Sequence, residues 1–143
     1  MIGCDVVTNQ EEFTHCAAIR IEVFVDEQHV PAEEELDDLD AVSVHVLARV
    51  DGEPVGTGRL IPVDDGHGKI GRMAVRSAFR GRGVGAAIME RLMDAARERG
   101  MQSLSLSAQL HALGFYERFG FVAHGDVFHE AGIEHREMER AIR

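Results

Sequence analysis

Ile70-Gly71-Arg72-Met73-Ala74-Val75 is followed by Arg76-Ser77-Ala78-Phe79 and then by Arg80-Gly81-Arg82-Gly83-Val84-Gly85-Ala86. This is a strand delivered into a glycine-spaced turn that opens a helix. Such a turn aims several backbone N–H groups at one point, and the helix dipole adds partial positive charge there. Glycine at 81, 83 and 85 removes the Cβ atoms that would hold a phosphate away from the backbone. Arg80 and Arg82 add fork-shaped cationic donors. The turn is suited to a pyrophosphate, and the alternative on the turn alone is a glycine-rich bend with no ligand.

Two familiar phosphate binders fit poorly. A P-loop ends in Gly-Lys-Ser/Thr, which is missing here. A dinucleotide fingerprint spaces its glycines Gly-x-Gly-x-x-Gly near the start of a βαβ unit, with an acid about 20 residues on. Here the spacing is Gly-x-Gly-x-Gly, three strands precede it, and Ser105 or Ser107 stands where the acid belongs.

Outward from the turn, residues 69–75 read as the strand and 84–99 as the helix. Val84, Ile88, Leu92 and Ala95/Ala96 form its inner face and Gly100 stops it. Upstream, residues 43–50 alternate as a strand, with Val44, Val46 and Ala48 on one face and His45, Leu47 and Arg49 on the other. Asp51-Gly52 turns the chain into a returning strand at 54–63. Before these lie a strand at 4–8, a helix at 10–24 capped by Thr8 or Asn9, and a helical turn near 32–36. Downstream come a strand at 101–107, a second late helix at 108–119 ended by Gly120, and strands at 121–128 and Ile133–Ala141. The order β-α-β-β-β-α-β-α-β-β predicts an α/β (α+β) mixed sheet with helices on both faces, in one domain over residues 1–143.

Composition narrows the partners. The net charge is −10, and acidic residues crowd the segment from Asp26 to Asp40. Nucleic acid, which wants a basic face, is excluded as a partner, whereas an amine suits such a field. No apolar run approaches the roughly 20 residues that cross a bilayer, and no secretory signal is visible at the N-terminus. Cys4 and Cys16 form no disulfide framework, which makes a reduced, cytoplasmic setting the default expectation. His124, His129 and His135 have no metal-ligand spacing, so no metal is expected.

The glycine turn after Gly71–Val75 resembles the acetyl-CoA signature of the GNAT superfamily of N-acetyltransferases. Ala112-Leu113-Gly114-Phe115-Tyr116-Glu117-Arg118-Phe119-Gly120-Phe121 is similar to that superfamily's second signature. Arg20, Val23-Phe24-Val25-Asp26-Glu27-Gln28, Val30-Pro31, Glu35-Leu36-Asp37-Asp38-Leu39-Asp40, His45 and residues 128–135 look like the ElaA-like (YjcF-type) branch.

The resemblance implies an acetyl-CoA-dependent N-acetyltransferase in which a primary amine of a small molecule or peptide attacks the thioester directly. Arg80, Gly81, Arg82, Gly83, Val84, Gly85 and Ala86 would cradle the pyrophosphate. Met73, Ala74 and Val75 would pair with the pantetheine amides, and a backbone N–H of Met73 or Ala74 would face the thioester oxygen. Gln109 stands where many members carry a pantetheine-binding asparagine. Tyr116, the only tyrosine, occupies the general-acid position; its alternative is a packing aromatic. Glu27, His45, His111 and His135 are candidates to relay the amine proton, with His45 or His135 lining the acceptor site and Arg20 and Glu27 nearby. Arg20 has an alternative role, tying down the acidic loop. A non-catalytic acyl-CoA-binding sensor is the alternative function, and another nucleotide's pyrophosphate is the third reading. The final strand is a candidate to pair across a homodimer.

Overall fold

A computed structural model of the protein describes residues 1–35 and 37–142. The chain runs β1 (Ile2–Val6), α1 (Gln10–Arg20), a π-helical continuation (Ile21–Glu27), α2 (Ala32–Glu35) and a 3₁₀ turn (Asp38–Val42). Then come β2 (Val44–Val50), β3 (Glu53–Asp64), β4 (His67–Val75), α3 (Val84–Glu98) and β5 (Ser103–Gln109). After a 3₁₀ turn (Leu110–Ala112), α4 (Leu113–Glu117), β6 (Val122–Glu130) and β7 (Ile133–Ala141) complete it. The seven strands form one mixed sheet in the order β1-β2-β3-β4-β5-β7-β6. The expected mixed sheet and its element order are therefore present. No helix among the described residues is long and apolar enough to cross a membrane.

Alternation along β2 sends its side chains to two cores. Val44, Val46, Ala48 and Val50 pack with Ile88, Leu92 and Ala96 of α3, while Leu47 packs with Cys16, Ile19 and Val23 on the α1 side. Helices thus cover opposite faces. Full burial of Ile88 and Leu92 contributes about 1.5–3 kcal/mol each. Two glycines of β3 let α3 settle closely: a Cβ on Gly56 would lie 2.9 Å from Ile88 Cδ1, and one on Gly58 2.8 Å from Ile88 Cγ2.

Several boundaries differ from expectation. The first helix leaves α geometry at Arg20 and runs on as a π-helix to Glu27. The turn expected at 32–36 is present as α2 to Glu35, and Leu36 lies outside the described residues. The second late helix is much shorter than 108–119. The β5–β7 ladder continues to Gln109↔His135, so residues up to Gln109 belong to the sheet, Leu110–Ala112 form a 3₁₀ turn and Leu113–Glu117 remain α-helical. The final strand is not free to pair with a second copy, because β7 is bonded to β5 on one side and β6 on the other. Among the described residues, the sheet edges are β1 and β6.

Candidate active site

The functional cleft begins where two parallel strands part. β4 and β5 pair from His67↔Ser103 to Ile70↔Leu106 and no further. His67 closes the shut end, its ring nitrogens 2.7 Å from the Ser103 hydroxyl and 2.9 Å from that of Ser105. Beyond Ile70, β5 pairs only with β7, and β4 pairs only with β3. Residues 71–75 therefore carry a backbone edge facing β5 with no strand on it, and such an edge can accept an extended amide chain.

Arg72 sits at the irregularity that opens this fork. The β3–β4 register shifts between Thr57↔Ala74 and Arg59↔Gly71, and Arg72 adopts φ 51°, a left-handed conformation that costs a side-chain-bearing residue about 1–3 kcal/mol. Its guanidinium holds it there. Nη2 donates to the carbonyls of Glu34 and Glu35 and to Asp37 Oδ2, each at 3.2 Å, and Nε lies 3.1 Å from Glu35 Oε2.

Beneath this lies a buried ion cluster. Arg20 and Arg59 are 1% and 4% exposed. Arg20 binds Glu35 and both carboxylate oxygens of Asp40, at 2.8 and 3.1 Å. Arg59 binds both oxygens of Asp37, at 2.8 and 2.9 Å, and Asp40 Oδ1 at 2.8 Å. Hydrogen bonds from Arg59 and the charges of Arg59 and Arg72 hold the Asp37 carboxyl at about 2. Three arginines and three carboxylates thus pin the acidic loop, α2 and the turn after it, as one wall of the cleft. Of the two roles for Arg20, the structure places it in the loop-tying one.

The turn that enters α3 has the shape its glycines require. Gly81 and Gly83 take φ 74° and 87°, and Gly83 is the N-cap with no side-chain bond to the helix. The first intrahelical bond from this cap is Ala87 N–H to the Gly83 carbonyl. The N–H groups of Val84, Gly85 and Ala86 therefore remain for an external acceptor. A Cβ on Gly85 would stand 3.3 Å from the Phe115 ring, so this glycine also lets α4 pack beside the cradle. Arg80 binds the Val75 carbonyl and Glu27, each at 2.9 Å. The Arg82 guanidinium lies 5.0 Å from the Phe79 ring centroid.

A cleft of about 440 Å³ lies at the fork, lined among others by Gln28, Glu35, Arg59, Lys69, Arg72, Met73, Ser107, Gln109, Tyr116, Glu130 and His135. Tyr116 leans on Phe115, with ring centroids 5.1 Å apart, and its hydroxyl is 3.8 Å from Met73 Sδ. Burial pushes that hydroxyl up to about 12, so it stays protonated at any ordinary pH. Gln109 spans the fork's open end, donating to Gln28 Oε1 at 3.0 Å, with His111 Nε2 2.8 Å from its own oxygen. His135 is buried, stacked on Phe128, with Nδ1 2.7 Å from the Ile133 carbonyl and Nε2 4.0 Å from Glu130.

Of the residues considered for proton handling, Tyr116, His111 and His135 line this cleft; Glu27 and His45 do not. Glu27 sits beside the cradle in its pair with Arg80. His45 is buried behind the ion cluster, bonded to the Asp40 carbonyl at 2.9 Å and packed edge-on to Phe13. Desolvation lowers its pKa, against the opposing pull of Asp40. Arg59, Lys69 and Arg72 are cleft residues that the motifs do not reveal. The available signal was isolated cationic side chains within strands otherwise reading as core.

The acetyltransferase (GNAT) domain family model matches residues 7–142. The protein named uncharacterized N-acetyltransferase YjcF of Bacillus subtilis (strain 168) is 40% identical over 134 residues, covering 93% of this chain and 95% of the relative. The crystal structure of an acyl-CoA N-acyltransferase from Pseudomonas aeruginosa superimposes with a TM-score of 0.85 at 38% identity, covering 99% of both chains. That of Escherichia coli ElaA gives 0.87 at 29% identity, covering 98% of this chain and 99% of the other.

Proposed function

This chain belongs to the GNAT acetyltransferase family, and from that premise we propose that it transfers an acetyl group from acetyl-CoA to a primary amine of a small molecule or peptide. One observation supports the reading above the others. The unpaired edge of β4 lines, through Gly71, Arg72 and Met73, the cleft that holds Tyr116, and the same strand leads through the glycine turn to the uncapped start of α3. A cofactor with a pyrophosphate, an amide-bearing arm and a reactive thioester matches that sequence of features.

The roles follow from chemistry. The N–H groups of Val84, Gly85 and Ala86, with Arg80 and Arg82, hold the pyrophosphate. The edge of Met73, Ala74 and Val75 pairs with the pantetheine amides, and a strand N–H there stabilises the oxyanion. Gln109 borders the arm on the β5 side. The amine nitrogen bonds to the carbonyl carbon as the C–S bond breaks. Tyr116 gives its proton to the departing thiolate, and His135, beside Glu130, passes the amine proton toward solvent.

Release of CoA thiol, followed across an amine panel, tests this. Turnover should require an added amine. Tyr116→Phe should lower kcat by about 100-fold, the lower end of what general acid catalysis contributes, with acetyl-CoA affinity retained. Tight CoA binding without amine-dependent thiol release would instead identify a non-catalytic acyl-CoA-binding module.

A further inference from the structure

We propose that Lys69 anchors a carboxylate of the acceptor, so that the substrate class is amines bearing an acidic group, such as amino acids. This inference rests on the acetyltransferase reading above. Of the chain's 15 Lys and Arg residues, Lys69 is the only lysine. It lines the cleft. Ile70 points into the core beneath α3, so alternation turns Lys69 to the opposite face, beside Ile61, its partner across β3–β4.

Charge bookkeeping singles out this side chain. Arg59 and Arg72 share the cleft floor, but the charges of both are paired with those of Glu35, Asp37 and Asp40, although Nε of each makes no hydrogen bond. Lys69 is half-buried and makes no ion pair among the described residues. Among the described residues, Lys69 is therefore the cation of the cleft lining that has no carboxylate partner; Glu137, on the β7 side, is bonded to the Ser107 hydroxyl at 3.0 Å. The remaining cleft carboxylates, Glu34 and Glu130, are exposed and belong to its rim, where they repel a wholly anionic ligand and admit one that also carries an ammonium group. An arginine fork suits the fixed pairs of this cluster. A compact ammonium on a flexible stem suits an anion that must arrive and leave. Lys69 lies four residues before Met73, at most about 13 Å along the strand. The carboxylate it binds is thus separated by several atoms from an amine at the thioester.

The test uses matched acceptors, α- and ω-amino acids against their own carboxamides, with kcat/KM measured for the wild type, Lys69→Met and Lys69→Arg. The quantity read is the acid-to-amide ratio in wild type divided by that in Lys69→Met, in which the intrinsic reactivity of each amine cancels. A value of about tenfold or more, equivalent to about 1.4 kcal/mol, with partial recovery in Lys69→Arg and unchanged acetyl-CoA affinity in all three, is expected. A value near one overturns the proposal while leaving the acetyltransferase reading in place. An acetylated Lys69 in the intact mass of wild type after turnover also overturns it, since an amide holds no charge. Thiol release with no amine at all removes the acetyltransferase reading and this inference together.

Discussion

Replacing Arg20 with methionine probes the wall of the cleft. The guanidinium is 1% exposed and supplies bonds to Glu35, to Asp40 and to the Glu35 carbonyl. Removing one partner of a buried ion pair costs about 3–5 kcal/mol, because the other charge stays buried without compensation. Here the remaining carboxylates keep other partners. Glu35 retains Arg72 at 3.1 Å and Asp40 retains Arg59 at 2.8 Å. The expected loss therefore falls at the lower end, about 3 kcal/mol, which lowers Tm by roughly 10 °C in a chain of this size. Urea unfolding followed by circular dichroism, with an Arg20→Met, Glu35→Gln double-mutant cycle, supplies the numbers. A coupling of about 1 kcal/mol or more is expected between these contacting residues. A loss below about 1 kcal/mol, the value of an exposed pair, would refute the claim that this cluster pins the loop.

Three further outcomes are expected. Gly58→Ala places a Cβ 2.8 Å from Ile88 Cγ2 and 2.9 Å from Leu92 Cδ1, and overpacking should cost about 1–3 kcal/mol in denaturant melts. Gly83→Ala puts a side chain on φ 87°, and titration calorimetry should show weaker acetyl-CoA binding with only about 1–2 kcal/mol lost in stability. Asp37 titrates at about 2 in the folded protein against an ordinary 3.8. Its ionised form favours folding above the ordinary value. That stability should decline as pH falls from about 4 to about 2, and Asp37→Asn should flatten this decline in urea midpoints.

The sequence carried the fold through local rules. Apolar positions at 84, 88, 92, 95 and 96 marked one face of α3, and all five are buried. The glycine turn was legible too, because backbone at φ 74° and 87° favours glycine and so leaves a residue-level trace. What was illegible is non-local. Residues 108–109 suit a helix or a strand, and only the partnership with residues 135–136 of β7 decides between them. His45 and His135 look alike as strand histidines. The ladder order places one behind an ion cluster and the other at the cleft. The Arg72 bulge is similarly hidden, since nothing local to residue 72 shows that Glu34, Glu35 and Asp37 will meet it.

The uncapped start of α3 and the open edge of β4 are the features assigned to acetyl-CoA. Isothermal titration of the folded protein with acetyl-CoA, with NAD and ATP in parallel, measures this directly. Micromolar binding of acetyl-CoA, with neither nucleotide competing, is the predicted result. Absence of acetyl-CoA binding, or binding of NAD or ATP as tight as that of acetyl-CoA, would contradict the account and leave the cradle without its assigned cofactor.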